Sequence, residues 1–432
     1  MINIIDWKNA EEELKVKILA RSQIDISGVA TKVSDIISEV RKDGDIAIEK
    51  YARLFDDPKF NKENIRVTQK EIDESYEKVG EEVVKIMKRQ IEISRNYAET
   101  EKSNISMDWC IEYVPGVKTG LRQVPMDSVG LYVPAGKAPL PVVAQILTVP
   151  ASVAGVARKV VCFPPSGNNY EIIVSAHLAG ADEIYRVGGA VAIAALAYGT
   201  DTIAPVKFIA GPGSAYVQAA KMQVFRKVGI DMISGPSEGL IMADEKSNPR
   251  FIAADLLAKC EHGGDSAAVC VTNSKKLATE IQSEFNLQFK DLNRKQYIEK
   301  SAPNYSAIIT VDTLDDMIDF ANIYAAEHLE IQVENPSEIL KKINNASSVF
   351  LGDYSPIAIG DYASGTNHCL PTGVAPSFSS AVGVRMFLRS HGYQELTKEG
   401  LKTLEPIINT LADIEGLDAH KKSVNIRFEN DN

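Results

Sequence analysis

The segment AKCEHGGDS, residues 258–266, combines a lysine, a cysteine, an acid and a histidine with a pair of glycines. Thiolate, carboxylate and imidazole groups can bind a metal ion, whereas a lysine ammonium has no lone pair to offer. Asn248-Pro249 supplies a cap residue and a first-turn proline, and the glycines supply a stop, so these residues end a predicted helix. The segment is either an ordinary helix end or part of a site.

Two faces of this predicted helix differ in character. Cys260 shares one face with aliphatic residues and is predicted to be a core thiol. Asp255, Lys259 and His262 share another face. Taken alone, that face is more typical of a solvated polar stripe, with Asp255 and Lys259 as an i,i+4 pair, than of a binding site.

Further polar segments could support acid–base chemistry. Glu327 and His328 stand side by side in AAEHLEIQ, just before a predicted strand, and a carboxylate beside an imidazole can remove protons. The dipeptide alone is more typical of a surface pair. GDYASGTNHCLPT, residues 360–372, is predicted to be a polar glycine-rich loop, which is more often functional than structural. The chain has six histidines, and four lie in these segments or in LDAHKKSV near the end: His262, His328, His368 and His420.

The elements that must position these residues form two α/β series. The short apolar runs VGLYVP, KVVCFPP, EIYRVGG and VKFIAGPG alternate with alanine-rich helices, which predicts a doubly wound α/β unit over about residues 128–235. A second series runs from GLIMADE to SSVFLG and ends near residue 376, and a charged helical tail follows. A cleft between the two units would suit a two-substrate enzyme.

Two glycine-rich turns could serve an anionic cofactor. RVGGAVAIAALAYG and AGPGSAYV do not match GxGxxG, yet either turn could direct a helix N-terminus at a phosphate. Many loops of α/β proteins have a similar composition. The turns alone therefore indicate no particular cofactor.

Composition excludes several function classes. The 432 residues predict two or more domains, and a net charge of -11 without a basic tract argues against a nucleic-acid binder. The five scattered cysteines form no CxxC pair, which favours the reducing cytoplasm. We expect no signal peptide and no membrane span, because the first residues are charged and the apolar runs are interrupted. These patterns predict a cytoplasmic α/β enzyme but no particular reaction.

Together the segments resemble one family, histidinol dehydrogenase. The likeness is collinear from about residue 25 to residue 425 and rests on VGLYVPAGKAPLP, GPGSAYVQAAK, GPSE, LLAKCEHG, AAEHL, GDYASGTNH and LDAHK. The resemblance implies oxidation of L-histidinol through histidinal to histidine, with two NAD+ in succession and one zinc. It implies two incomplete Rossmann-like α/β domains with a helical N-terminal region: residues 1–127 with 236–376, an inserted NAD-binding domain over 128–235, and an exchanged tail over 377–432.

The resemblance also implies residue roles, carried over motif by motif. Glu327 would activate the water that adds to the aldehyde, and His328 would accept protons. A homodimer is implied in which the tail completes the neighbour's site. The implied zinc ligands are His262, Asp361 and His420; the substrate-binding positions are Ser237, Lys259, His262, Asp361, His368, Glu415 and His420; the NAD-binding positions are Tyr132, Val191 and Ser214.

Three positions depart from the family pattern. Lys259 replaces a glutamine ligand of the zinc, Val191 replaces a glutamine at the NAD site, and Ser214 replaces an asparagine there. An ammonium beside a metal ion is repelled, so Lys259 is either neutral, turned toward Asp255, or evidence that the metal is absent. The chain is then a histidinol dehydrogenase, a paralogue for another small, anionic hydroxyl compound such as a sulfopropanediol, or a non-catalytic binding homologue.

Overall fold

The computed structural model describes residues 2–21, 26–135 and 139–429, so residues 136–138 of VGLYVPAGKAPLP lie outside the described residues. The strands are β1 Asn3–Asp6, β2 Asp108–Val114, β3 Val117–Pro125, β4 Ser128–Tyr132, β5 Arg158–Phe163, β6 Glu183–Arg186, β7 Phe208–Ala210, β8 Gly229–Ile230, β9 Glu238–Ala243, β10 Ala267–Thr272, β11 Ala307–Thr310, β12 Ala326–Gln332, β13 Ala346–Leu351 and β14 Leu388–Leu396. The first helices are α1 Glu12–Ala20, α2 Ala30–Asp43, α3 Asp45–Phe55, α4 Gln69–Val79, α5 Glu81–Ser103, α6 Pro141–Ala154, α7 Tyr170–Ala179 and α8 Gly189–Tyr198. The remaining helices are α9 Ala215–Val224, α10 Pro249–Cys260, α11 Lys275–Gln288, α12 Lys295–Tyr305, α13 Leu314–Tyr324, α14 Pro336–Leu340, α15 Ile357–Tyr362, α16 Lys398–Glu415 and α17 Asp418–Asn425.

A five-stranded parallel sheet has the order β6-β5-β4-β7-β8 and carries the first predicted α/β series. Its central strands are buried on both faces, which explains their continuous apolar runs. Helix α8 packs closely on β4, because a Cβ atom at Gly130 would lie 2.8 Å from the Leu196 side chain. The chain leaves β4 toward β5 on one side and later returns to β7 on the other. The crevice at the carboxyl ends of β4 and β7 is therefore a topological switch point, where ligands of such sheets bind.

A six-stranded parallel sheet has the order β1-β11-β10-β9-β12-β13 and confirms the second predicted series. The prediction that Glu327 and His328 precede a strand is wrong. Both residues lie inside β12, where His328 pairs with Gly239 of β9 and Ser348 of β13. Backbone pairing on both sides extends the strand over residues whose polar side chains interrupt the apolar pattern.

A third sheet, antiparallel, has the order β14-β3-β2. The interpretation of everything beyond residue 376 as helical is wrong over β14, although α16 and α17 follow as expected. Most of β14 is exposed, so it lacks the alternation of a half-buried strand and is held by backbone pairing with β3. Among the described residues, no helix is both long and apolar enough to cross a membrane.

Candidate active site

A cavity of about 520 Å³ lies between the two parallel sheets. One wall comes from the segments after β4 and β7, including Pro134 and Gly213, at the switch point of the five-stranded sheet. The opposite wall comes from the amino ends of β9 and β12, the end of α10, and α15. The structure brings seven of the predicted residues to this cavity: Ser237, Lys259, His262, Glu327, His328, Asp361 and His368.

Glu327 and His328 form a buried acid–base pair at the start of β12. The Glu327 Oε2 atom accepts a hydrogen bond from the backbone N–H of Glu238 at 2.8 Å and lies 3.2 Å from His328 Nδ1. His328 Nδ1 also lies 3.2 Å from the carbonyl oxygen of Glu238. Because both neighbours of Nδ1 are acceptors, this nitrogen carries a hydrogen. The other ring nitrogen, Nε2, has no hydrogen-bond partner among the described residues and is free to take a proton at the cavity.

Charges around this pair favour its ionised form. Burial and the Lys259 charge lower the pKa of His328, but the carboxylates of Glu327 and Asp361 outweigh them, so this pKa is raised above its ordinary value. Burial raises the pKa of Glu327, and the charges of His328 and Lys259 reverse that effect and lower it. Asp361 lies 3.6 Å from His328 Nε2. Although burial raises the pKa of Asp361, His328 and Lys259 hold it far below its usual value. Two carboxylates and one readily protonated imidazole therefore meet in the cavity.

His262 and His368 are neutral imidazoles at neutral pH. Burial among protein atoms, followed by the Lys259 charge, lowers the pKa of His262 to about 4, although the residue is exposed to the solvent of the cavity. Burial also lowers the pKa of His368 to about 4, and its Nδ1 atom has no partner among the described residues. Asp361 was expected in a loop but lies on the short helix α15. The two imidazoles can offer lone pairs to a ligand.

Lys259 points into the cavity and not into solvent. The residue is 2% exposed, and its Nζ atom donates to Ser237 Oγ at 3.3 Å. The interpretation of this face as a solvated stripe with an Asp255–Lys259 pair is wrong. Asp255 instead accepts a hydrogen bond from Gln332 at 3.2 Å. The Lys259 side chain therefore does not turn toward Asp255, and its charge stays beside the position implied for a metal ion.

The side chains of one chain do not fit a zinc site. In the ranges that the structure describes, no three histidine, cysteine, aspartate or glutamate side chains converge to hold a metal ion. His262 and Asp361 share the cavity with Lys259, whose ammonium has three donors and no acceptor. A dication 4 Å from that charge is repelled by about 8 kcal/mol at an effective dielectric of about 20.

The two tail residues do not reach the cavity of their own chain. Glu415 ends α16 and His420 lies on α17, and both are exposed. Neither lines the cavity. Their predicted contacts with substrate or metal would have to be made elsewhere.

Two of the three predicted NAD-binding residues line a second cavity of about 300 Å³, and the third, Tyr132, lies behind it. Val191 and Ser214 line it, and Gly189 beside it donates its backbone N–H to the Tyr132 hydroxyl at 3.1 Å. Gly189 begins α8, and Ser214 occupies the N-cap position of α9 without a side-chain capping hydrogen bond, so two helix N-termini meet at one cavity. This arrangement is suited to an anion such as a pyrophosphate.

A buried network that the sequence analysis missed supports the base pair. Arg21 Nη1 lies 2.7 and 2.9 Å from the two carboxylate oxygens of Glu238, and its guanidinium stacks on Tyr324 with 3.6 Å to the ring centroid. Glu238 in turn accepts the backbone N–H of Glu327 at 3.2 Å. Glu238 belongs to the GPSE motif and could have been noticed there, but Arg21 is 217 residues away and carried no local signal.

Comparisons with known proteins agree on one family. The family model for histidinol dehydrogenase matches residues 19–428. The chain is 42% identical over 420 residues to the histidinol dehydrogenase of Methanococcus maripaludis, covering 97% of each chain. It is 43% identical over 429 residues to that of Vibrio parahaemolyticus, covering 98% of this chain and 97% of the relative. The crystal structure of histidinol dehydrogenase from Elizabethkingia anophelis matches with a TM-score of 0.93 and 33% identity, covering 99% and 98%.

We expect Arg21→Met to lower the free energy of unfolding by about 3–5 kcal/mol, because it leaves the buried Glu238 carboxylate uncompensated. Burial raises the pKa of Glu238 to about 7, with Arg21 opposing the rise and Glu327 adding to it. Without Arg21 this pKa rises further, so the loss should grow as the pH increases above neutrality and Glu238 must ionise.

Urea unfolding at about pH 6 and about pH 8 measures this effect. The double variant Arg21→Met/Glu238→Gln is the control, and its loss should be smaller and nearly independent of pH. A loss that is the same in both variants would mean that the ion pair is not the cause.

Proposed function

Because the chain belongs to the histidinol dehydrogenase family, we propose that it oxidises L-histidinol to L-histidine through histidinal, reducing two NAD+. The observation that carries this proposal is the Glu327–His328 pair at the wall of the cavity, where His328 Nε2 makes no hydrogen bond to any described residue. A family enzyme needs such a base beside its alcohol substrate.

The chain's own residues account for the proton transfers. With His328 in its neutral form, Nε2 accepts the hydroxyl proton while the carbinol hydride passes to the first NAD+, which gives the aldehyde and NADH. Glu327 stays anionic beside Nδ1 and stabilises the imidazolium that forms. Glu327 then assists the addition of water to the aldehyde, and a second hydride leaves the hydrate for the second NAD+. The products are the carboxylate, two NADH and protons released to solvent.

The second cavity is the proposed site for the NAD+ pyrophosphate. Its two helix N-termini and backbone N–H groups supply positive potential. The turn that contains Gly213 and Ser214 borders both cavities, so a cofactor bound in the second can extend its nicotinamide toward the first. We propose that residues 128–235 form an inserted NAD-binding domain that holds this site, as the resemblance implies. Helices α2 to α5, which the resemblance groups with the other domain, share the hydrophobic core of this one.

A homodimer is proposed to complete the site. Helix α16 exposes an apolar stripe of Ile407, Leu411 and Ile414 at helical spacing, which are 57%, 53% and 76% exposed. Such stripes usually lie in an interface. Glu415 and His420 follow the stripe and do not line the cavity of their own chain. We propose that they contribute to the cavity of the partner subunit.

NADH formation from L-histidinol tests the proposed function, with histidinal as a second substrate and dihydroxypropanesulfonate as the anionic comparison. Two NADH per L-histidinol and one per histidinal are expected. A faster rate with the sulfonate, or no NADH with any alcohol, would contradict the assignment.

We expect His328→Ala to lower kcat by about 10²–10⁴-fold, because it removes the proton acceptor. His391→Ala, on the exposed part of β14, is the control and should keep wild-type turnover. Circular dichroism and gel filtration should be unchanged in both variants. Normal turnover of His328→Ala would show that another group is the base.

We expect Ser214→Asp to weaken NAD+ binding about tenfold, because it places a negative charge beside the proposed pyrophosphate site. Aspartate is as good a helix cap as serine, so α9 should remain intact. Calorimetric titration of NAD+ measures the change, with Ser214→Asn as the uncharged control. If both variants bind NAD+ equally well, the phosphates lie elsewhere.

Mixed dimers test the shared site. We expect His328→Ala and Glu415→Gln homodimers to be nearly inactive, and refolding the two together to restore about a quarter of the wild-type sites, by random pairing. In that mixture, half of the dimers are hybrids with one site free of both substitutions. No recovery would place Glu415 in its own chain's function or outside the site.

A further inference from the structure

We propose that the Lys259 ammonium is the resident cation of the active cavity and binds the substrate oxygen that becomes negative during oxidation. The family resemblance gives this task to zinc. The inference rests on the proposed function for its substrate, and on the position of Lys259 for its chemistry.

Lys259 is buried but poorly partnered. The residue is 2% exposed, and its Nζ atom donates a hydrogen bond to Ser237 Oγ at 3.3 Å. No carboxylate among the described residues lies within 4.0 Å of Nζ. An ammonium has three N–H donors, so two remain for a ligand in the cavity. Burying a cation with so few partners costs free energy, which points to a functional use of the charge.

The backbone of β9 fixes where this charge lies. The Lys259 stem crosses β9 at Gly239, where a Cβ atom would lie 3.0 Å from Lys259 Cγ. Gly239 is also the residue that pairs with His328 in the neighbouring strand. The glycine therefore lets the ammonium approach the strand that carries the base. A substrate oxygen can contact Lys259 on one side and His328 on the other.

Lys259 also acts electrostatically on the acids of the cavity. Lys259 lines the same cavity as the carboxylates of Glu327 and Asp361. The ammonium thus supplies positive charge near Asp361, the carboxylate that the resemblance assigns to the metal. A dication would have to displace it, and Lys259 offers no lone pair in return.

The proposed steps balance with Lys259 as a donor only. The alcohol oxygen accepts a hydrogen bond from Nζ, its proton goes to His328 Nε2, and the carbon-bound hydride goes to NAD+. The aldehyde oxygen keeps the hydrogen bond while water adds. Glu327 takes a proton from the water that adds, and the carbonyl oxygen takes a proton from solvent to complete the hydrate. In the second step a hydrate hydroxyl gives its proton to His328 Nε2, which has released the first proton to solvent, and the carbon-bound hydride goes to the second NAD+. The acid that forms loses its proton to solvent, and one carboxylate oxygen remains on Lys259. The lysine keeps its protons throughout.

The zinc content of the full-length protein tests the inference without substrate. Wild type, Lys259→Gln and Lys259→Met would be purified with added zinc, passed through metal-free gel filtration and analysed by mass spectrometry. We expect wild type to retain far less than one zinc per chain and Lys259→Gln to approach one. Wild type that retains one zinc per chain through chelator dialysis, or Lys259→Gln without a gain, would overturn the inference.

Kinetics test the role of the ammonium. We expect chelators to leave wild-type turnover unchanged, and Lys259→Met to lower kcat by about 10²–10³-fold with NAD+ binding retained and no rescue by zinc. Lys276→Met, on the surface of α11, is the matched control and should behave as wild type. Wild-type kcat in Lys259→Met, with the fold confirmed by circular dichroism, would overturn the role.

The two proposals can fail separately. If no variant oxidises L-histidinol but zinc contents follow the expected order, the proposed substrate is wrong and the cation assignment stands. If L-histidinol is oxidised only by the zinc-loaded wild type, the proposed function stands and the Lys259 inference fails.

Discussion

The active cavity depends on two buried carboxylates that lie side by side on neighbouring strands. The backbone N–H of Glu238 donates to the Glu327 carboxylate, and the backbone N–H of Glu327 donates to the Glu238 carboxylate. This exchange locks β9 to β12 at their amino ends, yet it holds two like charges close together. Arg21 offsets that repulsion through its contacts with Glu238. The base pair is therefore positioned from the N-terminal segment of the chain.

The same constraint explains why the cavity uses different ends of the two sheets. Ligands of parallel sheets usually bind at the carboxyl ends of the strands. In the five-stranded sheet the segments after β4 and β7, at these carboxyl ends, line the cavity. In the six-stranded sheet the polar groups lie at the amino ends, where α10 finishes. Helices that follow parallel strands run opposite to them, so the end of α10 brings Lys259 and His262 to the starts of β9 and β12. The wall formed after β4 and β7 and the acid–base wall of the cavity thus face each other across the cleft.

Much of this arrangement could be predicted from the sequence, and the limits have physical causes. The βαβ series and the core position of Cys260, which is 0% exposed, follow from local apolar patterns. Strand β14 escaped prediction because its side chains are mostly solvated and its order comes from a partner strand. The start of β12 escaped because buried polar residues interrupt the apolar run. The direction in which the Lys259 side chain points depends on Gly239, which lies 20 residues earlier. The direction of the Arg21 side chain depends on Glu238 at the start of β9. Neither direction leaves a signal in the neighbouring sequence.

Each departure from the family pattern affects either the second cavity or the charge beside the acid–base pair, and none affects both. At the second cavity, Val191 and Ser214 stand where the resemblance implies amide side chains, and the proposed pyrophosphate site relies instead on backbone N–H groups and two helix N-termini. At the acid–base site, the supports of Glu327 and His328 are complete within one chain. Lys259 changes the charge beside them while leaving the hydrogen bonds of the base pair in place. Because proton removal and charge stabilisation are supplied by different residues, a lysine can replace a metal ligand without dismantling the base.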